Sequence, residues 1–458
     1  MKKNIIVFFI ICLILLPNIS FANPSEAYSK EIAQKLLLKI SNNNYSEATE
    51  NFDTTMKKLL QAEQIKSVWE KLLEQCGDFK SIDSESTVSE MLIYKVVKQK
   101  VFFENMILYA VVSIDTAGKI AGLHFTPATD EAAPDSNYNY NSNSNYKDAS
   151  YVIKANFIEE DIKFPDGIIT GKLTIPINKN IKKQDKNEKY PLLILVHGSG
   201  PNDEDETIYN NKVFRDIAYG LSSRNIAVLR YNKRTLVDKN LDINNLTINE
   251  ETVNDVITAI EIFSKDERFG RIYILGYSLG AYILPRISNL SSIPSGFISL
   301  AGSARALPKL IIEQTNYIYS LDSTKYSLND KKNLQQQIEN CQRVLKNNYN
   351  INTPSDSLPL GVPAKYWLDL QNYDPVEEFK KEKRPILFLQ GGRDYQVTAE
   401  DFEMFQKELE NPKNKFILFP ELNHLFQTGS KKSIPKEYTQ KQNVSEKIIN
   451  EIEKFIKQ

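Results

Sequence analysis

One pentapeptide constrains this chain more than any other stretch. Gly276-Tyr277-Ser278-Leu279-Gly280 follows the apolar run Ile272-Tyr273-Ile274-Leu275 and precedes Ala281-Tyr282-Ile283-Leu284. A short apolar run, a Gly-x-Ser-x-Gly turn and apolar residues at helical spacing predict a strand, a sharp turn and a helix. Holding a serine at a strained backbone position, with strand and helix packed closely around it, leaves no room for side chains two residues either side. Gly276 and Gly280 meet that demand. The turn lifts the Ser278 hydroxyl clear of the sheet and aims the Leu279 N–H, at a helix N-terminus, toward any oxyanion formed there. The pentapeptide also arises by chance, so its meaning depends on whether a base and an acid lie where such a fold needs them.

At 458 residues the chain is too long for one ordinary domain. A formal net charge of -1 shows no basic surplus for nucleic acid and no acidic surplus for a cationic partner, so a small, near-neutral substrate is expected. Lys2 and Lys3 precede an apolar run from Ile5 to Leu16, then Pro17 and Ser20-Phe21-Ala22, the layout of a secretory signal peptide over 1–22. The run is too short for a good membrane span. Ile11 stands before Cys12 where a lipoprotein signal wants a small residue, so lipidation is not expected. Cys76 and Cys341 then remain, with no Cys-x-x-Cys spacing, and neither a disulfide scaffold nor a metal or other cofactor is expected.

Three textures follow one another. Over 23–128, apolar residues recur at helical spacing (Ile32, Ala33, Leu36, Leu37, Ile40, then Met56 to Leu73), and β-rich runs follow at Met91 to Lys98, Val101 to Asp115 and Lys119 to Phe125. Thr116-Ala117-Gly118 joins the last two as a hairpin turn, which makes a small α+β unit, read as a packing or spacer module. Over 129–150 the chain turns to Asn, Ser, Asp, Ala and Tyr, which cannot bury a core and reads as a flexible tether. From Tyr151 to the end, strands and helices alternate around the wholly apolar Leu192 to Val196, which argues an α/β unit over 151–458 with a parallel sheet covered on both faces. A helical insertion at about 303–383, containing the aromatic pair Tyr366-Trp367, is placed to act as a lid; Tyr277, Tyr366 and Trp367 are the candidate substrate-pocket residues.

Only three histidines exist, so the base for Ser278 is His124, His197 or His424. His124 lies ahead of the tether and reads as a strand residue. His197 opens the loop His197-Gly198-Ser199-Gly200-Pro201 and reads as structural, while Ser199 in that loop is the candidate second backbone donor beside Leu279. His424 follows the last predicted strand and is the candidate base, since the order Ser, acid, His belongs to this strand arrangement. The candidate acid is Asp394, at the end of the apolar run Ile386 to Leu389, with Asp369 and Asp374 as alternatives. Asp203-Glu204-Asp205-Glu206 matches no calcium-loop spacing and reads as a solvated acidic loop.

At these residues the sequence resembles the two-part bacterial carboxylesterases of the EstD type, within the α/β-hydrolase superfamily. The resemblance is carried by His197 to Pro201 with Asp203 to Thr207, by Arg230-Tyr231-Asn232-Lys233-Arg234, by the pentapeptide, by Gln390 to Thr398 and by Leu422 to Phe426. It implies an α/β-hydrolase fold with a mostly parallel sheet and a helical lid, and Ser278, Asp394 and His424 as the triad. Two positions depart from that pattern: Glu204 stands where the family usually has arginine and Asn232 where it usually has aspartate. Hydrolysis of small or medium acyl esters is the leading expectation. A serine peptidase on short peptides ranks below it, for want of an acidic subsite, and an exported hydrolase-fold binding protein without activity ranks last.

Overall fold

The computed structural model describes residues 24–91, 94–127, 146–177, 189–238, 240–323 and 328–458. The expected signal peptide and the Asn-rich heart of the expected tether lie outside the described residues. The chain divides into two compact units, Met1–Asn141 and Ser142–Gln458.

In the first unit, helices α1 (Glu26–Ser41), α2 (Tyr45–Ala48), α3 (Thr54–Leu59) and α4 (Ala62–Cys76) precede strands β1 (Phe79–Met91), β2 (Tyr94–Phe103), β3 (Ile107–Ile114) and β4 (Ile120–Pro127). The Ser25 hydroxyl caps α1 by accepting the Tyr28 N–H at 3.2 Å, and Ile32, Ala33, Leu36, Leu37 and Ile40 form its buried face. The strands make an antiparallel sheet in sequence order. Three strands were expected where four are present. The first, Phe79–Met91, is rich in Ser, Glu and Asp and pairs only with β2, so an edge position spares it the apolar alternation that marks a strand in sequence. The run Val101 to Asp115 is two strands, folded back where the Phe103 N–H reaches the Met106 carbonyl at 2.9 Å. The turn at Thr116 to Gly118 closes as expected, with Gly118 at φ 72°.

The second unit carries β5 (Phe157–Lys163), β6 (Thr170–Pro176), β7 (Tyr190–Val196), the small pair β8 (Thr207–Ile208) and β9 (Asn211–Lys212), α5 (Val213–Ser222), β10 (Ala227–Tyr231), α6 (Arg234–Val237) and α7 (Asn254–Phe263). Next come β11 (Phe269–Tyr277), α8 (Leu279–Tyr282), α9 (Leu284–Leu290) and β12 (Gly296–Leu300), then the insertion helices α10 (Leu307–Leu321), α11 (Leu328–Leu345), α12 (Ala364–Asp369) and α13 (Pro375–Phe379). The chain closes with β13 (Ile386–Gly391), α14 (Ala399–Glu408), β14 (Lys415–Phe419) and α15 (Glu446–Ile456). Eight strands form one sheet in the order β14-β13-β12-β11-β7-β10-β6-β5. All pairings are parallel except β6 with β10 and with β5.

The apolar β7 explains itself in this sheet. Leu192, Ile194 and Val196 pack on one face with Ile260 of α7 and Ile287 of α9, while Leu193 and Leu195 pack on the other with Ile217 of α5 and Ile452 of α15. Successive side chains of a strand face opposite sides, so a strand covered twice must be apolar throughout. With β10 on one side of β7 and β11 on the other, the strand order reverses at β7. Loops leaving the carboxyl ends of β7 and β11 therefore diverge around an opening, the place where sheets of this kind bind ligands. The insertion is latched to the unit by Arg286 of α9, 2.8 Å from Asp369, and by the Tyr373 hydroxyl, which donates to the Tyr282 carbonyl at 3.1 Å.

The end of the expected tether is packed and not loose. Tyr146 donates its hydroxyl to Asp216 at 2.8 Å and Ala149 is buried, because each finds a partner in α5 and its surroundings. Among the described residues no helix is long and apolar enough to cross a membrane.

Candidate active site

Ser278 sits between β11 and α8 at φ 52°, ψ -112°. That strain is held from both sides: its N–H donates to the Leu300 carbonyl and its carbonyl accepts the Tyr282 N–H, each at 2.9 Å. The flanking glycines are required by close approach. A Cβ on Gly276 would lie 2.3 Å from the Gly280 carbonyl oxygen, and one on Gly280 would lie 2.4 Å from the Val196 carbonyl oxygen. Among the described residues the Leu279 N–H, first in α8, has no acceptor, as expected of a helix N-terminus.

Asp394 lies just past β13 and is buried. One carboxylate oxygen accepts the N–H groups of Gln396 at 2.7 Å and Val397 at 3.1 Å; the other faces His424 Nδ1 at 2.6 Å and the Gln390 amide at 3.4 Å. A carboxylate on Nδ1 fixes the tautomer that leaves Nε2 as the basic nitrogen. His424 rides on a loop built by Asn423, whose side-chain oxygen accepts the N–H groups of Leu425 and Gln427, both at 3.0 Å. Tyr277 then joins this loop to the elbow: its hydroxyl donates to the His424 carbonyl at 3.2 Å, and the two rings lie 5.2 Å apart.

This placement corrects the expectation that Tyr277 lines the substrate pocket. It is 1% exposed, in the core beneath the elbow, because the residue before the serine points back into the sheet side of the turn. Tyr366 is also buried; burial first, then the charge of the Glu251 carboxylate, hold its hydroxyl well above the usual phenol range. Trp367 lines a cavity of about 160 Å³ between the insertion and α8, together with Tyr282, Leu307, Val344, Tyr349 and Leu370. Neither Tyr277 nor Tyr366 lines that cavity.

The alternatives for the acid are occupied elsewhere. Asp369 accepts Arg286, and Asp374 caps α13 through the N–H groups of Val376 and Glu377. His197 is fully buried, with Nδ1 at 2.6 Å from Glu206 and Nε2 at 2.5 Å from the Tyr231 carbonyl. His124 belongs to β4 in the first unit, where burial lowers its proton affinity.

The acidic loop is not solvated as expected. Asp205 and Glu206 are buried: Asp205 takes Lys212 at 2.8 Å and also pairs with Arg230, while Glu206 takes the Gly198 N–H at 3.2 Å and the Asn202 amide at 2.9 Å besides His197. Cations and N–H groups that the folded loop and Arg230 of β10 bring together offset the cost of burying those carboxylates, and local sequence does not mark which charges will be so paired. Ser199 is exposed, in the loop these contacts hold, and Gly198 beside it packs on the serine: a Cβ there would lie 3.5 Å from Ser278 Cβ. Glu204 and Asn232, the two departures from the EstD pattern, meet through the Glu204 N–H, which donates to the Asn232 side-chain oxygen at 3.1 Å. A neutral amide beside Glu204 avoids the repulsion that an aspartate would bring. No group of acidic, histidine and cysteine residues able to hold a metal is found among the described residues.

Esterase EstD of Thermotoga maritima is 35% identical over 418 residues, which cover 91% of this chain and 92% of the relative. The chain belongs to the EstD esterase family. This esterase carries the Ser278 turn at the carboxyl end of β11, inside a mostly parallel eight-stranded sheet. Residues 33–123 match a family described as a protein of unknown function, DUF3887. Among solved structures, Est1E from Butyrivibrio proteoclasticus is 16% identical with a TM-score of 0.43, over 65% of this chain and 99% of that one. An esterase of Pyrococcus furiosus is 14% identical with a TM-score of 0.41, over 66% of this chain and 90% of that one.

Proposed function

We propose that this EstD-family esterase hydrolyses small or medium carboxylic esters through a seryl acyl-enzyme, with Ser278 as nucleophile, His424 as base and Asp394 as its orienting acid. The observation that carries the reading is the 2.6 Å contact between His424 Nδ1 and Asp394, on a loop that is tied to the elbow by Tyr277, the residue before Ser278. His424 Nε2 takes the Ser278 proton as Oγ attacks the ester carbonyl carbon, and the carbonyl electron pair moves onto oxygen. The N–H groups of Leu279 and Ser199 stabilise that oxyanion. Collapse expels the alcohol, which receives the proton from His424; water then repeats the sequence on the acyl-enzyme and frees the acid.

Turnover of p-nitrophenyl acetate and butyrate by wild type and Ser278→Ala tests the assignment. The variant is expected to lose about 10⁴-fold or more in kcat while keeping its fold; unchanged turnover removes Ser278 from the mechanism. The signal-peptide layout at 1–22 supports export as part of the same reading. Expressed with its own N-terminus in a bacterial host, the chain is expected in the envelope or medium with those residues removed, as mass spectrometry would report. Full-length chain confined to the cytoplasm would reject export.

A further inference from the structure

Charge ties down the loop after β7. Gly198 donates its N–H to Glu206 at 3.2 Å, and its carbonyl accepts the Lys233 ammonium at 2.8 Å and the Asn202 amide at 3.3 Å. Lys233 is 1% exposed, and its other partner is Glu251 at 2.5 Å. Burying an ammonium is costly, and Glu251 alone would neutralise it; the Gly198 contact brings that charge to the backbone as well.

The carbonyl that Lys233 holds belongs to the peptide unit whose N–H is that of Ser199. This peptide is trans, so oxygen and hydrogen point to opposite sides, and anchoring the oxygen on the lysine turns the Ser199 N–H away from it. A cation on the oxygen also draws electron density along the amide, which makes the N–H a stronger donor. Gly198 lies against Ser278, so this peptide borders the place where the oxyanion forms.

We propose that Lys233 is a positioning residue for ester hydrolysis, acting through the Gly198–Ser199 peptide on the oxyanion, with Glu251 setting where the lysine sits. The proposal rests on the seryl acyl-enzyme reading and gives it a buried cation that never touches substrate.

The test uses the full chain with Lys233→Gln and Glu251→Gln together, so that no lone ion is left buried. Turnover of p-nitrophenyl butyrate is compared with inhibition by phenylboronic acid, whose tetrahedral adduct on the serine is anionic, like the intermediate, and sets a boron-bound hydroxyl where the oxyanion would lie. We expect kcat to fall by about ten- to a hundredfold with KM within about twofold, and boronate affinity to fall by about the same factor as kcat. If kcat and boronate affinity both stay within about twofold of wild type, or KM rises while kcat holds, the proposal is overturned. Lys233→Met with Glu251→Leu, an apolar replacement of the pair, carries the same expectations should circular dichroism show the amide pair unfolded. Ser278→Ala is run alongside. If that variant is inactive while the Lys233 pair has no effect, only the present proposal fails; if it is active, the acyl-enzyme reading fails and takes the proposal with it.

Discussion

Asp216 is buried in α5, where it accepts the Tyr146 hydroxyl at 2.8 Å, the Val444 N–H at 2.9 Å and the Asn443 amide at 3.1 Å. Burial pushes its carboxyl up to about 6 in spite of those donors. In the unfolded chain such a group titrates near 4, so between about pH 4 and 6 the folded chain holds a proton that the unfolded chain has released. The stability this group contributes is whole below about pH 4 and is lost as pH rises through about 6, a difference on the order of 3 kcal/mol. Asp216→Asn keeps the shape and cannot titrate. Its melting temperature is expected to lack the decline that wild type shows between about pH 4 and 6.5, measured by thermal melts at matched ionic strength. Equal slopes in the two proteins would clear Asp216 of the effect.

At the scale of elements, the elbow joins β11 to α8 by bringing two backbones into contact. The Gly280 Cα faces the carbonyls of Val196 and His197, where a Cβ would meet oxygen at 2.4 and 2.7 Å. Neither oxygen retreats freely, since Val196 is held in register with Gly276 of β11 and the His197 ring is fixed between Glu206 and the Tyr231 carbonyl. Gly280→Ala is therefore expected to cost about 4 kcal/mol or more, read as loss of soluble folded chain or a drop in urea midpoint. A midpoint equal to wild type would show that the backbones part more readily than this packing allows. The same locality made the elbow legible in sequence: strand, turn, serine and both glycines lie within a dozen residues, and each residue type answers a constraint imposed by its neighbours. Asp394 and His424 were legible because the end of an apolar strand can be read from the strand itself. Glu206, Lys233 and Glu251 were not. A charged side chain reads as solvated until the fold supplies a partner, and theirs come from Gly198 and from one another across separate elements. The strand Phe79–Met91 escaped for the converse reason, because an edge strand with polar faces carries no alternation to find.

At the scale of the whole chain, the apolar residues sort into separate cores. One cluster runs from Ile32 to Ile120 and uses only the helices and sheet of the first unit. The other two, on the faces of the eight-stranded sheet, draw only on residues from Ala149 onward. Among the described residues no buried apolar residue of one set belongs to the other, so each unit has the core that independent folding requires. Every group assigned to the chemistry, from Ser199 to His424, also falls in the second unit. Residues 142–458 expressed alone are thus expected to fold and to turn over p-nitrophenyl butyrate with kcat and KM within about threefold of the full chain. The comparison has two informative failures. An insoluble fragment would mean that the core of the second unit is not enough for it to fold alone. A folded fragment with KM raised more than about tenfold and kcat kept would mean that the first unit serves substrate capture, since uniform binding is lost without touching the transition state.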